Sequence, residues 1–203
     1  MYLDYLFSKL IKKIHIPTIR LSELHKTSKV CSGSHLAGVT MGKYSYIGNY
    51  CTVINTDIGN YCSVGDSCFI GAEDHPTEWV SSSPVFHGGK NIMRKNFATH
   101  SFETGKRTVI ENDVWLGTHC MIRNGIKIGT GAIIGMGSVV TKNVGDFEIW
   151  AGNPARFIRK RFAEEDISKI LEIKWWEWSD TDLIRRANTF NDLQAFLSEG
   201  NNG

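Results

Sequence analysis

Proline is scarce in this chain of 203 residues, with four, and neither sign of charge dominates: 23 Lys and Arg against 21 Asp and Glu leave a net charge of +2. So small a charge argues against nucleic acid as a partner. No apolar run is long enough to span a bilayer. The apolar N-terminal stretch is not followed by a small-residue cleavage site, so no secretory signal is read and the expected location is cytoplasmic. Cysteine is also scarce. The five, Cys31, Cys51, Cys62, Cys68 and Cys120, are odd in number, which argues against a disulfide framework.

Glycine is plentiful, and it is placed to a beat. Ile110, Leu116, Ile122, Ile128, Ile134 and Val140 are each six positions after the last, with Gly117, Gly129 and Gly135 directly behind three of them. The same beat runs through Met41, Ile47 and Val53, then Ile58, Val64 and Ile70, with one five-residue step from Val53 to Ile58. Six residues fit neither a helix nor an ordinary strand. The fifth residue of each unit is small or slim (Ser45, Cys51, Cys62, Cys68, Val114, Cys120, Ala132, Ser138) and lies two before the next aliphatic one. In an extended strand both point the same way, and glycine permits the corner that follows. Short strands joined at corners and stacked coil on coil describe a parallel β-helix. Four of the five cysteines thereby become inward packing residues, and no metal cluster is expected.

The expected organisation is an amphipathic helix at 1–17, a β-helix at 18–161 and helices with a tail at 162–203. Tyr2, Leu3, Leu6, Phe7, Leu10, Ile11 and Ile14 recur at helical steps, apart from Lys9, Lys12 and Lys13, and Pro17 stops the pattern. This face suits packing on a neighbouring coil or copy, with peripheral membrane contact as the alternative. Residues 18–40 read as an irregular lead-in. The beat breaks after Gly71 and resumes near Val109, and an excursion of that length, about 72–108, points to function. Beyond Val144 a turn at Gly152-Asn153-Pro154-Ala155 ends the coil, followed by Arg156, Arg159, Lys160 and Arg161. Trp175, Trp176 and Trp178 read as an apolar plug for the last coil. Ser179 with Asp182 predicts one helix cap, Asn191 another, and Glu199 to Gly203 read as a disordered tail.

Several motifs together resemble one family. They are the broken repeat with its His75-Pro76 and its loop from Trp79 to Phe86, Asn112-Asp113-Val114-Trp115-Leu116-Gly117, Gly137-Ser138-Val139-Val140-Thr141-Lys142, Gly152-Asn153-Pro154-Ala155, and Ile173-Lys174-Trp175-Trp176-Glu177-Trp178. Over roughly residues 36–178 the chain is similar to the hexapeptide acyltransferases, in particular the xenobiotic acetyltransferase branch that also holds sugar O-acetyltransferases. The resemblance implies an all-β fold, a left-handed parallel β-helix against the usual crossover hand. It also implies a homotrimer with active sites between subunits, and acetyl-CoA as cosubstrate.

On that resemblance the catalytic residue is His75, whose imidazole suits removal of a hydroxyl proton. Glu73, Asp74, Glu78 or a backbone carbonyl would hold its other ring nitrogen. Trp115, Gly117 and Thr118 would line the thioester end of acetyl-CoA. Gly137, Ser138, Thr141 and Lys142 would follow its pantetheine arm, and Arg159 would meet its phosphates. Trp79 and Phe86 are the candidate acceptor contacts. His119 is expected to point outward, and Cys120 inward as an inert thiol.

A zinc carbonic anhydrase on the same repeat needs three histidines, and around His119 the matching positions are Val114 and Asn124, so that reading fails on ligand count. A non-catalytic scaffold is the other rival. The expected acceptor is a sugar hydroxyl of a bacterial capsule or O-antigen precursor, with an antibiotic hydroxyl as runner-up.

Overall fold

A computed structural model describes residues 2–200. Helix α1 (Tyr2–Ile14) precedes coils built from short strands. Residues 18–34 hold β1 (Thr18–Arg20), β2 (Glu23–Leu24) and β3 (Lys29–Val30); residues 35–51 hold β4 (His35–Met41) and β5 (Tyr46–Ile47). Residues 52–68 hold β6 (Thr52–Ile58) and β7 (Ser63–Val64). The next coil starts with β8 (Phe69–Ile70) and, after the excursion, continues with β9 (Thr108–Ile110) and β10 (Trp115–Leu116). Then come β11 (Met121–Ile122), β12 (Lys127–Ile128), β13 (Ile133–Ile134), β14 (Val139–Val140) and β15 (Glu148–Gly152), which folds back antiparallel on β16 (Ala155–Lys160).

The pairing gives three parallel ladders, hence a triangular coil. The first face stacks β1, the start of β4, the start of β6, β8, β11 and β14. The second stacks β2, the ends of β4 and β6, β9 and β12. The third stacks β3, β5, β7, β10, β13 and β15. This is the parallel β-helix expected from the beat, and it agrees with the left-handed coil that the resemblance implies. Each aliphatic beat residue points inward: Ile47, Val64, Ile70, Leu116, Ile128 and Ile134 are all fully buried.

The inward small residues do more than pack. Where the third face turns into the first, a carbonyl of the corner faces the interior and needs a donor. Ser34 Oγ donates to Gly48 O at 2.7 Å, Cys51 Sγ to Gly65 O at 3.1 Å, Cys68 Sγ to Gly117 O at 3.2 Å and Cys120 Sγ to Gly135 O at 3.2 Å. At the corner from second to third face, Ser45 and Cys62 serve Gly59 O and Glu111 O in the same way. Burial pushes the Cys62 thiol up to about 12, which keeps it protonated and unreactive.

Four expectations need correction. Residues 18–34 are a complete coil rather than an irregular lead-in; as an end coil it has a neighbour on one side only, so Ile19 is exposed and Leu24 and Val30 half-buried, and the beat is not enforced there. The tryptophans do not plug the last coil. Helices α2 (Glu164–Ile173), α3 (Asp180–Arg186) and α4 (Leu193–Gly200) pack along the corner between second and third faces. Buried Trp176 joins Phe147, Ile167, Ile170, Phe196 and Leu197 there, Asn60 Nδ2 donates to Trp176 O, and Tyr44 donates to Asp180. Ser179 caps α3 through the Asp182 amide, but α4 is capped by Asp192, whose carboxylate accepts from the amides of Gln194 and Ala195, and not by Asn191. Glu199 and Gly200 belong to α4, and the rest of the expected tail lies outside the described residues.

Candidate active site

The excursion leaves the coil at the corner between first and second faces, after β8, and returns at β9. It is anchored by Arg107. The guanidinium donates from Nε to Asp57 Oδ2 at 2.6 Å and from Nη1 to Gly38 O and Asn55 Oδ1 at 3.1 Å each. These hydrogen bonds hold the Asp57 carboxyl below its ordinary 3.8. Both side chains are some 40% exposed, so the pair is worth at most about 1 kcal/mol. A carboxyl lowered in the folded state stabilises above its ordinary value and loses that contribution as pH falls through the lowered one. Arg107→Met should therefore lower stability at neutral pH, and the difference from the native chain should close in strong acid. Urea midpoints across that range test this; a difference independent of pH would mean lost packing rather than lost charge.

Within the excursion His75 is exposed, and its Nδ1 lies 2.8 Å from the backbone carbonyl of Ser82. Of the orienting groups left open by the sequence, the carbonyl holds the ring. Asp74 instead faces Arg123 at 3.7 Å. Trp79 and Phe86 line one cavity of about 590 Å³ with Glu78, Val80, Ser81, Ala98 and His100. The Trp79 ring meets His100 edge-on at 5.7 Å and Phe102 at 5.6 Å. His87 is buried and pairs with His100 through an isolated parallel bridge, so it shapes the loop rather than opening to solvent.

The residues expected at the cofactor fall on other parts of the coil. Gly117, Thr118 and Gly137 share the corner between third and first faces, where the Gly137 amide donates to Thr118 O at 2.9 Å. Exposed His119, with φ +61°, lies beside them. A Cβ on Gly137 would meet nothing within 4 Å, so the corner is open to a chain laid across it. Met136, 80% exposed, stands at the same corner. Trp115 projects from the third face, and its ladder runs through Ile133 and Ile149 to Arg159. Thr141 and Lys142 are exposed on the corner from which the excursion departs, two coils further on. Ser138 is different: it is fully buried, its hydroxyl donating to Gly135 O and accepting from the Gly152 amide, so its side chain does not reach the surface. Cys120 is likewise inward and buried. Among the described residues no group of three or more His, Cys, Asp or Glu side chains is placed to hold a metal ion.

Comparison with known proteins agrees with this architecture. The family model for bacterial transferase hexapeptide (six repeats) matches residues 107–142. A chloramphenicol acetyltransferase of Klebsiella aerogenes is 46% identical over 125 residues, 60% of this chain and 59% of the relative, so the chain spans under two thirds of that protein's length. A probable macrolide acetyltransferase of Lysinibacillus sphaericus is 33% identical over 146 residues, 70% of this chain and 77% of the relative. In fold, a point mutant of AntD, an N-acyltransferase from Bacillus cereus in complex with dTDP-4-amino-4,6-dideoxyglucose and coenzyme A, superposes with a TM-score of 0.53 at 20% identity, over 82% of this chain and 92% of that one. The chain belongs to the hexapeptide-repeat acyltransferase family.

Proposed function

We propose that the chain is an acetyl-CoA-dependent O-acetyltransferase with His75 as general base and a sugar hydroxyl of a bacterial surface-polysaccharide precursor as acceptor. One observation carries the chemistry: the 2.8 Å contact of His75 Nδ1 with Ser82 O. A carbonyl only accepts, so Nδ1 holds a proton and the neutral ring keeps its lone pair on Nε2. Nε2 takes the acceptor hydroxyl proton while the oxygen attacks the thioester carbon. The C–O bond forms, the C–S bond breaks, and the imidazolium returns its proton to the CoA thiolate. Acetyl ester and free CoA balance the step. Thr118, half-buried at the open corner, offers a hydroxyl or amide to the developing oxyanion. Trp115, Gly117 and Gly137 border the acetyl-CoA path, with Ser138 contributing backbone alone, Thr141 and Lys142 further along it and Arg159 at the phosphates.

The corner bearing Thr118 and Gly137 and the corner bearing the excursion are different vertices of one triangular coil. A thioester at the first therefore meets the histidine of a neighbouring copy, which supports a homotrimer with shared sites. The exposed apolar side chains of α1, from Tyr5 through Leu6, Phe7, Leu10 and Ile11 to Ile14, between 42% and 67% exposed, support peripheral contact with the cytoplasmic membrane surface and thus a lipid-linked glycan acceptor. An antibiotic hydroxyl is the second reading, favoured by the 46% identity to a chloramphenicol acetyltransferase.

The test is CoA thiol release from acetyl-CoA against sugars, nucleotide sugars, chloramphenicol and a streptogramin. Release with a glycan acceptor supports the first reading, and release with a drug alone replaces it by the second. Failure of acetyl-CoA to bind leaves the scaffold. The active species should sediment as a trimer; an active monomer would sink the shared site.

A further inference from the structure

The excursion is gripped from the coil above it. Gly71 donates its amide to Ile122 O at 3.0 Å, which closes the ladder just before the chain departs. Asn124, a buried residue at the corner after β11, then donates its side-chain amide to Ala72 O, three residues ahead of His75. Arg123 faces Asp74, the neighbour of His75. On the return side the Gly125 amide donates to Lys106 O at 3.2 Å. Three consecutive residues of one corner thus touch both ends of the excursion. Arg107 holds the return end to the two coils below through Asp57, Asn55 and Gly38, but nothing below grips Ala72 with a side-chain donor among the described residues.

We propose that Asn124, assisted by Arg123, is a positioning residue that sets the height and direction of His75 above the coil. This rests on the reading of His75 as the base. The His75 ring has one fixed point, Ser82 O, seven residues further along the same loop. That contact orients the ring only if the departing segment is itself fixed; the Asp74 amide ties it to Thr104 O on the returning side of the same excursion, and Asn124 supplies the side-chain bond that ties it to the coil. An Asp at 124 keeps the shape but replaces the donor by a carboxylate facing the Ala72 carbonyl, so the departing strand is pushed away instead of held. Misplacement of a base by about 1 Å costs on the order of 100-fold in rate. The thioester corner at Thr118 and Gly137 lies on another vertex, and Thr141 and Lys142, which share the vertex of Asn124, stand on the next coil, so acetyl-CoA binding should change little.

The experiment compares native protein, Asn124→Asp, Arg123→Gln and His75→Ala. Imidazole ¹⁵N shifts under alkaline conditions, where histidines are neutral, report the tautomer of His75, the signal assigned by its loss in His75→Ala. The native ring should hold its proton on Nδ1. In Asn124→Asp the Nε2–H tautomer should appear, with a smaller shift in Arg123→Gln, while acetyl-CoA affinity stays within about twofold. An unchanged tautomer in Asn124→Asp overturns the inference, as does a loss of acetyl-CoA binding in step with the tautomer change, since that marks general unfolding. Where transfer is assayed, kcat should fall about 10- to 100-fold in Asn124→Asp at constant KM for acetyl-CoA. Near-normal transfer by His75→Ala would sink the base reading. Transfer lost in His75→Ala but kept in Asn124→Asp would sink the positioning role alone.

Discussion

His75→Ala should lower acetyl transfer by about 10²- to 10⁴-fold and leave folding and acetyl-CoA binding unchanged. The residue is exposed and makes a single hydrogen bond, so its removal opens no cavity and strands no buried partner. Its loss should cost within about 0.5 kcal/mol of stability. The proposed role concentrates its whole contribution in the transition state, where a proton leaves the acceptor as charge develops on oxygen. Glu73→Gln and Glu78→Gln sharpen the test. Because a backbone carbonyl holds Nδ1, neither carboxylate is needed to fix the tautomer, and both variants should keep rates within a few-fold of native. A His75→Ala chain with near-normal thiol release would make His75 a solvated loop histidine. A large loss in Glu73→Gln or Glu78→Gln would mean that a carboxylate, not Ser82 O, orients the ring during turnover.

The coil is legible in the sequence because its cause is local. Every inward aliphatic meets the same requirement at each rung, so Leu116, Ile122, Ile128 and Ile134 spell the period without reference to distant residues. The five-residue step from Val53 to Ile58 reads as a flaw in that period. It is instead a strand that runs through the corner unbroken, with Asn55 in the left-handed region at φ +47° and Gly38 at +67° in the same place one coil below. His75 is proposed from its loop context, and the aromatic cavity shows only that Trp79 and Phe86 are neighbours. What stays hidden depends on contacts between residues far apart in the chain. Arg107 meets Asp57, Asn124 meets Ala72, and Lys43 and Asn60 meet the carbonyls of Trp178 and Trp176. No periodicity marks such pairs. Aromatic residues after a solenoid suggest a plug for its open end, whereas at the partly exposed corner Tyr44 stacks on Tyr61 and Tyr61 offers its ring to Trp175.

Adjacent residues on β10 should separate stability from function. Leu116 is fully buried in register between Val64 and Ile134, themselves fully buried. In a helical core, neighbours of a truncated leucine can shift inward. Here the rungs above and below are held about 4.8 Å apart by ladder hydrogen bonds on three faces, so the gap left by Leu116→Ala cannot close. The cost should therefore lie in the upper part of the usual range, about 3–5 kcal/mol, read as a lowered urea midpoint with little change in slope. Trp115 points the other way, 53% exposed on the ladder that ends at Arg159. Trp115→Ala should change the midpoint by within about 0.5 kcal/mol, yet weaken acetyl-CoA binding several-fold if the thioester end lies against that face. Equal losses of stability in both variants would make Trp115 a packing residue at a subunit contact. A Leu116→Ala chain of native stability would mean that the rungs can collapse, against the rigidity that the three ladders impose.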